Sequence, residues 1–513
     1  MLDSTRIPVI VGAAQITDTV TPPQQARRPI ELMADVARAA AADAGAGRGI
    51  LREVDAVVVV RMFSDSTPRF KSLFGRVANP PWSVARRIGA TPRELVYTPG
   101  GGNMPQVAMN RACERIARGE SAMALLTGAE ALRTELAARR AGIQLDWNED
   151  APAAPEELGG HRMGFSEHEA AHGMRAAINM YPLFEQSIRG SRGRSIETHA
   201  AALGRLFSRF AAVARENPLA TRRQGYTAEE IATVTEANPI IGFPYTKLMT
   251  ASAYVDQAAA VLVCSAAKAD QLGVAEDKRV YLHGCAEGND HWYVTERQNL
   301  HSSPATRRVA AKSLDMAEKS LADVAFFDLY SCFPSAVEIA CQEIGLAEDD
   351  PRDLTVTGGL PYFGGPGNNY AMHAIAEMVH RLRCQPGAFG LVTANGNYVT
   401  KHAAGLYSTA PLAHPWARED PNILERELDQ LPKAPFTETP NGAATIETYT
   451  VSHSKSGPED GIVVGRLTES GTRCIANTPS DPPLLADLET RDALGRPGTV
   501  RSVDGRNLFL PAN

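Results

Sequence analysis

Short apolar runs alternate with longer alanine-rich stretches along most of this 513-residue chain. The runs Pro8–Gln15 (PVIVGAAQ) and Val54–Val60 (VDAVVVV) have the length and the β-branched content of buried strands. Between them, Pro29–Ala44 repeats its apolar positions at helical spacing. This alternation predicts an α/β protein in which layers of helices pack on sheets.

The same order recurs further along the chain. Arg279–Ala286 is predicted to be a strand, Pro304–Leu321 a helix and Ala322–Leu329 a buried strand. Because an alanine-rich helix leads into a buried strand in both parts, the pattern indicates an internal duplication of one α/β half.

Two segments depart from this pattern. Residues 134–250 are polar and helical in spacing, so we expect a helical insertion that covers one face of the first half. After a linker with one helix at residues 416–443, residues 444–513 carry short strands between Gly and Pro turns, which predicts a small all-β domain of sandwich or barrel type. The two halves take the remaining ranges: residues 1–133 with 251–272, and residues 273–415.

Composition and charge exclude several classes of protein. A net charge of −7 argues against nucleic acid as the main partner. Seven scattered cysteines without a C-x-x-C pair argue against a zinc ribbon and for a reduced, cytoplasmic chain. The N-terminus lacks a signal-peptide pattern and no apolar run could span a bilayer, so we expect no membrane partner.

One stretch, Leu95–Leu132, has the layout of an active site without its central residue. It is predicted to form a strand, a glycine turn, a helix and a second strand that ends in TGAEAL. Such a turn presents a reactive group at a helix N-terminus, where backbone N–H groups favour negative charge. Here the turn consists of Gly100–Gly102, followed by Asn103, and contains no nucleophile.

The order of motifs resembles the thiolase superfamily over about residues 5–412. VIVGAAQ, VDAVVVV, the glycine turn, TGAEAL, NPIIGFPY, FDLYSCFPSAVE, TGGLPYFGGPGNNYAMHAI and LVTANGNYVTKHAAG stand in the family's order. The chain resembles most the sterol-carrier-type thiolases and the thiolase-like proteins of type 1, which carry an additional C-terminal β domain that residues 420–513 fit. The resemblance implies a thiolase fold of two βαβαβ-type halves in five layers (α/β/α/β/α), with a small barrel of the oligonucleotide/oligosaccharide-binding (OB) type.

The resemblance also implies that the thiolytic residues are replaced. The family's nucleophilic cysteine falls on Gly102, the His of its H-D-C-F motif on Tyr330, and the His of its G-H-P loop on Gly365. The last family motif has Asn395–Tyr398 in place of its cysteine. Thiolysis needs a thiolate and a base, which glycine cannot supply. The backbone around Gly102 and Asn103 can still hold a carbonyl oxygen.

Tyr330 is the leading catalytic candidate, because it follows a buried strand at the edge where α/β folds place functional groups. The steroid side-chain aldolases, a related branch, carry Tyr-Asp-x-Phe at this point, but Ser331 stands in place of the Asp here. The alternative for Tyr330 is a packed side chain with one hydrogen bond. Cys332 is expected to be a small buried apolar residue.

The glycine loop before the predicted helix Tyr370–Arg383 supplies three more catalytic candidates, Asn368, Asn369 and Tyr370. The alternative is a loop that only packs. The substrate-binding candidates from all the loops are Gly102, Asn103, Ser331, Gly365, His373, Asn397, Tyr398 and His402.

The insertion binds coenzyme A in thiolases, so the loop RGSRGRS offers Arg189, Arg192 and Arg194 as partners for its phosphates. A solvated loop is the alternative. HEAAH (His168–His172) matches the zinc motif H-E-x-x-H, but Ser166 and Glu169 give it the pattern of a capping box, so we predict no metal site. Coenzyme A, as part of the substrate, is the only cofactor expected.

Two hypotheses follow. In the first, the chain is an enzyme that acts on an acyl-CoA or related acyl thioester and forms or cleaves a C–C bond in a retro-aldol or Claisen-type step, with Tyr330 handling the proton. In the second, it is a non-catalytic, degenerate thiolase that binds acyl-CoA, or a protein partner through its C-terminal β domain. A transferase that uses another cysteine is disfavoured, because no cysteine stands at a glycine turn before a helix.

Overall fold

A computed structural model describes residues 2–46, 48–66, 70–160, 162–503 and 505–512. Within these ranges the strands, β1 to β17 in chain order, are Pro8–Asp18, Ala56–Val59, Glu94–Tyr97, Met123–Ala131, Glu156–Glu157, Ile240–Gly242, Tyr245–Thr246, Asp256–Ser265, Tyr281–Asn289, Val324–Asp328, Phe389–Gly396, Lys401–Ser408, Asn441–Ser454, Gly457–Leu467, Arg473–Asn477, Pro497–Val503 and Arg506–Pro511.

The helices of the same ranges, α1 to α15, are Pro29–Asp43, Pro80–Ile88, Met104–Arg118, Leu132–Ala141, Glu167–Ala171, Ala177–Ser191, Ile196–Glu216, Ala228–Ala232, Ala266–Gln271, Pro304–Met316, Pro334–Ile344, Gly359–Tyr362, Tyr370–Cys384, Pro421–Asp429 and Pro482–Thr490. The mixed α/β class is confirmed. The structure also contains the individually predicted elements, which are the strands β1, β2, β4, β9 and β10 and the helices α1, α3, α10 and α13.

Two sheets form the body of the protein. The first has the order β1-β8-β4-β2-β3-β5, and the second has the order β10-β11-β12-β9. Strand β4 is buried on both faces, because Leu125 packs in one apolar core with α1 while Leu126 packs in another with α3. Helices α3 and α13 contact both sheets, and α10 covers β9 and β12.

The C-terminal strands form the third sheet, with the order β14-β15-β17-β16-β13-β6-β7 and a further pairing of β13 with β14. The predicted C-terminal β domain is present, but it is not all-β, because α15 lies between β15 and β16. Pro482 stands at the start of this helix, and Asp481 caps it by accepting a hydrogen bond from the Leu484 N–H. Strand β6 belongs to the insertion, and its Gly242 pairs with Ser452 of β13.

A buried arginine joins the C-terminal domain to the body through hydrogen bonds. The fully buried Arg473 donates to the carbonyl oxygens of Thr295 (3.0 Å), Arg297 and Gln298, and it pairs with Glu447 of its own domain. The contact between the domain and the body therefore includes a buried guanidinium that is both hydrogen-bonded and paired with a carboxylate, in addition to apolar side chains. Within the described ranges, no helix is both long and apolar enough to cross a bilayer.

Candidate functional site

The glycine turn lies directly before helix α3, as predicted. Gly101 has φ +145°, a conformation that favours glycine, and its N–H donates to Asn368 Oδ1 at 2.9 Å. In the described part of the chain, the N–H groups of Gly102 and Asn103 donate to no protein atom. Two backbone donors at the start of a helix are therefore free to bind a carbonyl oxygen or an anion.

Tyr330 lies against this turn. A β-carbon built on Gly102 would be 2.1 Å from the Tyr330 hydroxyl oxygen, so the phenol fills the place where a side chain of residue 102 would begin. Tyr330 is 7% exposed, and its ring packs edge-on against Tyr370, with the ring centres 5.5 Å apart. Burial raises the pKa of the phenol above its ordinary value, so the hydroxyl is protonated at neutral pH.

Asn368 fixes the position of the turn. Besides accepting the Gly101 N–H, it donates through Nδ2 to the carbonyl oxygen of Arg61 and to Ser66 Oγ, both at 2.8 Å. Its neighbour Asn369 donates to the Gly128 carbonyl at 2.7 Å and so holds the loop to strand β4.

Tyr370 packs against the Tyr330 ring and links it to buried polar groups. Its hydroxyl hydrogen-bonds Thr357 Oγ1 at 2.6 Å and donates to Asp328 Oδ1 at 3.0 Å. Burial raises the pKa of Asp328 to about 6. These bonds hold the end of strand β10, and hence Tyr330, against helix α13.

A lysine at the site was not among the predicted residues. Lys401 begins strand β12 and is 9% exposed, and its Nζ donates to the Gly100 carbonyl oxygen at 2.7 Å. Burial lowers the pKa of this amine to about 8. A charged residue at the start of the apolar run KHAAGLY was the signal in the sequence.

Two buried carboxamide oxygens beside the turn have no hydrogen-bond donor in the described chain. These are Oδ1 of Asn103 and Oδ1 of Asn395, whose Nδ2 donates to the Tyr181 hydroxyl at 3.1 Å. An unpaired buried acceptor costs free energy that a donor on a bound molecule would recover.

Four predicted substrate-binding residues face other parts of the fold. Ser331 Oγ accepts the Leu360 N–H, and Gly365 donates to the Ser252 carbonyl. His373 is fully buried beside Gln15, and burial lowers its pKa to about 3. His402 hydrogen-bonds Thr306 on α10, because neighbouring residues of a strand point to opposite faces and Lys401 takes the face toward the turn.

Asn397 and Tyr398 form a strained turn next to the site. Asn397, Tyr398 and Val399 have φ values of 51°, 56° and 57°, a left-handed run that is rare for residues other than glycine. Arg297 holds this turn by donating to the Tyr398 carbonyl (3.1 Å) and to Thr400 Oγ1 (2.7 Å). The Tyr398 hydroxyl donates to the Arg175 carbonyl at 2.7 Å.

The three predicted coenzyme A contacts already have partners. Arg189 is buried and pairs with Asp492 of the C-terminal domain at 2.6 Å. Arg192 pairs with Glu338 and Glu348, and Arg194 lies within 4 Å of the same two carboxylates. The structure therefore does not bring these arginines to the glycine turn or leave their charges unpaired.

The predicted capping box of HEAAH is present, with Ser166 and Glu169 bonded reciprocally. His172 bonds the His168 carbonyl and the Asn507 N–H through its two ring nitrogens, so it has no free ligand atom. In the described ranges, one group of three potential metal ligands has its ligand atoms within 4.8 Å of one another. It consists of the buried Glu185, His199 and Glu338. This trio could hold a cation, but His199 already hydrogen-bonds Glu185 at 2.6 Å.

A cavity of about 710 Å³ adjoins the site. Ser66, which bonds Asn368, lies on its wall, as does Glu130 of the TGAEAL motif. Glu130 accepts the Phe63 N–H at 2.6 Å, and burial raises its pKa to about 8. The apolar part of the wall includes Ile30, Met62, Leu132, Trp147 and Met163.

Comparisons with known proteins agree with this fold. The family model of the thiolase-like protein type 1 additional C-terminal domain matches residues 424–506. The 3-ketoacyl-CoA thiolase of Salmonella heidelberg is 27% identical over 196 residues, which are 35% of this chain and only 43% of that enzyme. A structure of an Ltp2-ChsH2(DUF35) aldolase aligns with a TM-score of 0.56 over 79% of this chain and 99% of that chain; at 19% identity it shows the fold alone.

A crystal structure of a monomeric SCP2-thiolase like protein type 1 from Mycobacterium smegmatis matches the whole chain. The two sequences are 37% identical, each chain is covered completely, and the TM-score is 0.85. This agreement includes the C-terminal β domain, which the family model identifies independently. The chain belongs to the SCP2-thiolase-like proteins of type 1.

Proposed function

We propose that this protein acts on an acyl-CoA or related acyl thioester, and that it forms or breaks a C–C bond without a covalent acyl-cysteine. The step would be of retro-aldol or Claisen type. The observation that carries the proposal is the Tyr330 hydroxyl in the place of a side chain at residue 102. A protonated phenol can donate a proton to a reacting oxygen, whereas a thiolase needs a thiolate there.

The free N–H groups of Gly102 and Asn103 support this proposal. Both retro-aldol and Claisen-type steps develop negative charge on a carbonyl oxygen. Paired backbone donors in a site shielded from water stabilise such charge strongly. We assign the substrate carbonyl to these two groups.

The substrate class rests on two observations. One curated relative is named a 3-ketoacyl-CoA thiolase, although the match covers less than half of that enzyme. The cavity of about 710 Å³ has the size of known ligand sites and a largely apolar wall. We assign the acyl chain to this cavity, where Glu130 would be a protonated hydrogen-bond donor.

The test combines binding and turnover. Calorimetric titration with CoA and a panel of acyl-CoAs should give saturable binding of an acyl-CoA that exceeds binding of free CoA. Turnover of the bound compound, followed by chromatography, should be lost in Tyr330→Phe. Tyr281→Phe is the matched control, because Tyr281 is a buried tyrosine that begins β9 and pairs with Ser408, at the end of β12 that lies away from Lys401. Full activity in Tyr330→Phe would refute the role of this residue.

A second function, a non-catalytic acyl-CoA-binding or partner-binding protein, is favoured by a different observation. Gly365 takes the place of a family catalytic His and packs on Ala251 and Ser252 without facing the turn. Acyl-CoA binding without turnover, or capture of one stoichiometric enzyme partner through the C-terminal domain, would select this function.

We also propose the finer architecture, which is five layers in the body and an OB-like C-terminal barrel. Support for the layers comes from α3 and α13, which contact both sheets. Support for the barrel comes from the pairing of β13 with both β14 and β16, which closes the ring β13-β14-β15-β17-β16.

A further inference from the structure

The glycine turn has an amine beside it that no thiolytic residue explains. A β-carbon built on Gly101 would be 2.7 Å from Lys401 Nζ, and one built on Gly102 would be 2.1 Å from the Tyr330 hydroxyl. The amine and the phenol therefore lie against adjacent residues of one turn. The same β-carbon on Gly101 would be 2.5 Å from the unpaired Asn103 Oδ1, so this oxygen lies close to the Lys401 amine.

The Lys401 amine has one hydrogen bond and no carboxylate partner among the described residues. Its one hydrogen bond in the described chain is to the Gly100 carbonyl, and no described carboxylate lies within 4 Å of it. A buried lysine without a counter-charge holds its proton weakly, and burial lowers the pKa of Lys401 to about 8. A neutral amine is a nucleophile toward carbonyl carbon.

The backbone before Lys401 is held in a strained form. The left-handed run Asn397–Val399 leads into strand β12, and Arg297 fixes it with two hydrogen bonds. Backbone strain of this kind persists only where surrounding contacts impose it, and it clusters at functional sites. The consequence here is that β12 begins at Lys401 with its side chain toward the turn.

We propose that Lys401 is the nucleophile of this site and that it forms an imine with the ketone of a β-hydroxy ketone substrate. The inference deepens the proposed function and rests on it for the thioester end of that substrate. The amine adds to the ketone carbon, and the former carbonyl oxygen leaves as water with the two amine protons. Tyr330 gives a proton to the departing hydroxyl and recovers one from the nitrogen.

The imine then accepts the electrons of the C–C bond. The bond between the α and β carbons breaks, the proton of the β-hydroxyl passes to the imine nitrogen, and an aldehyde leaves. The resulting enamine takes up that proton at its α carbon, and water hydrolyses the imine to release a ketone and the free amine. The water formed in the first step balances the water consumed in the last, so the net reaction is β-hydroxy ketone to aldehyde plus ketone.

The test is a trapping experiment on the full-length protein. We would incubate it with 4-hydroxypentan-2-one and sodium borohydride, which reduces an imine to a stable amine, and locate the adduct by peptide mass spectrometry. At pH 8 about half of Lys401 is neutral, on the order of a hundredfold more than an exposed lysine. We expect one adduct, on Lys401, formed at least about tenfold faster than any on the exposed Lys455.

Variants and outcomes separate this inference from the proposed function. Lys401→Arg should lose the adduct, whereas Lys455→Arg should keep it. If Lys401→Arg fails to fold, peptide mass spectrometry of the adduct on the unmutated protein still shows whether Lys401 is the labelled residue. Labelling of Lys401 no faster than Lys455 would overturn the inference even if acyl-CoA binds. An adduct on Lys401 without any acyl-CoA binding would uphold the nucleophile and remove the thioester from the proposed function.

Discussion

Tyr330 and Gly102 share one space: a β-carbon on residue 102 would be 2.1 Å from the Tyr330 hydroxyl oxygen and 2.5 Å from the ring carbon that bears it. Neither distance can be reached without a shift of one group. A tyrosine at position 330 therefore requires glycine at position 102, and a cysteine nucleophile at the turn is incompatible with the observed phenol.

This exclusion predicts the stability of Gly102→Ala. The added methyl group clashes with Tyr330 and with the Asn395 carbonyl, so the variant should lose about 1–3 kcal/mol of unfolding free energy. In Tyr330→Ala the same change should cost at least about 0.5 kcal/mol less. Urea unfolding of the four proteins measures this coupling. Gly49→Ala, where no atom of the described residues beyond its chain neighbours lies within 4 Å of the added methyl group, is the control. Additive costs would contradict the shared space.

Glu130 predicts a pH dependence of stability. Its folded pKa of about 8 lies above the usual 4.5, so its contribution is fully present below pH 4.5 and is lost as pH rises through 8. Relative to Glu130→Gln, the native protein should lose up to about 1.4 kcal/mol per pH unit within that window. Urea unfolding between pH 5 and 8 tests this, with the exposed Glu216→Gln as the control. Parallel pH profiles for the native protein and Glu130→Gln would contradict the prediction.

Asp492 is predicted to hold the C-terminal domain in place. Its carboxylate is the counter-charge of Arg189, whose side chain is 2% exposed. Asp492→Ala leaves that guanidinium buried without its ion partner and should cost about 1–3 kcal/mol. The variant should also be cut faster by protease near residues 416–443. Glu469→Ala, which removes an exposed acid elsewhere in the C-terminal domain, should change neither measurement.

Asn368 is predicted to act on the site through the turn. Asn368→Ala removes the acceptor of the Gly101 N–H and both Nδ2 donations, which should cost about 1–3 kcal/mol in stability. Under the proposed function, kcat/KM should fall as well. Asn368→Asp keeps the acceptor of the Gly101 N–H but places a carboxylate oxygen against the Arg61 carbonyl oxygen, so it should not recover the lost stability. Unchanged kcat/KM in a folded Asn368→Ala protein would remove the turn from the mechanism.

The elements of the body could be predicted because their burial is written into local patterns. Strand β2 and the first residues of β1 and β4 are continuous apolar runs, and nearly all of these residues are buried. Strand β16, Pro497–Val503, was missed because only Val500 is buried and the rest of its residues give no alternation. Helix α15 was missed because two prolines open it, a pattern as typical of a loop as of a helix start.

The site could be predicted only in part, because its contacts join distant segments. Tyr330 and the glycine turn were found from motifs in the chain. The Lys401 contact with Gly100 spans 301 residues, and the Arg189 contact with Asp492 spans 303. No local pattern reports such pairings. The direction of His402, away from the turn, follows from strand alternation once Lys401 is placed.

The pairing of β6 with β13 has a consequence for biosynthesis. A ribosome makes Ile240–Gly242 about two hundred residues before it makes Asn441–Ser454, the strand that covers it. Throughout that interval the nascent chain carries an uncovered strand edge and an Arg189 without its counter-ion. Exposed edges of this kind invite wrong pairing. The C-terminal domain, which is made after β6, is therefore the segment that completes the insertion, and a chain that stops before residue 441 leaves the insertion open to chaperones and proteases.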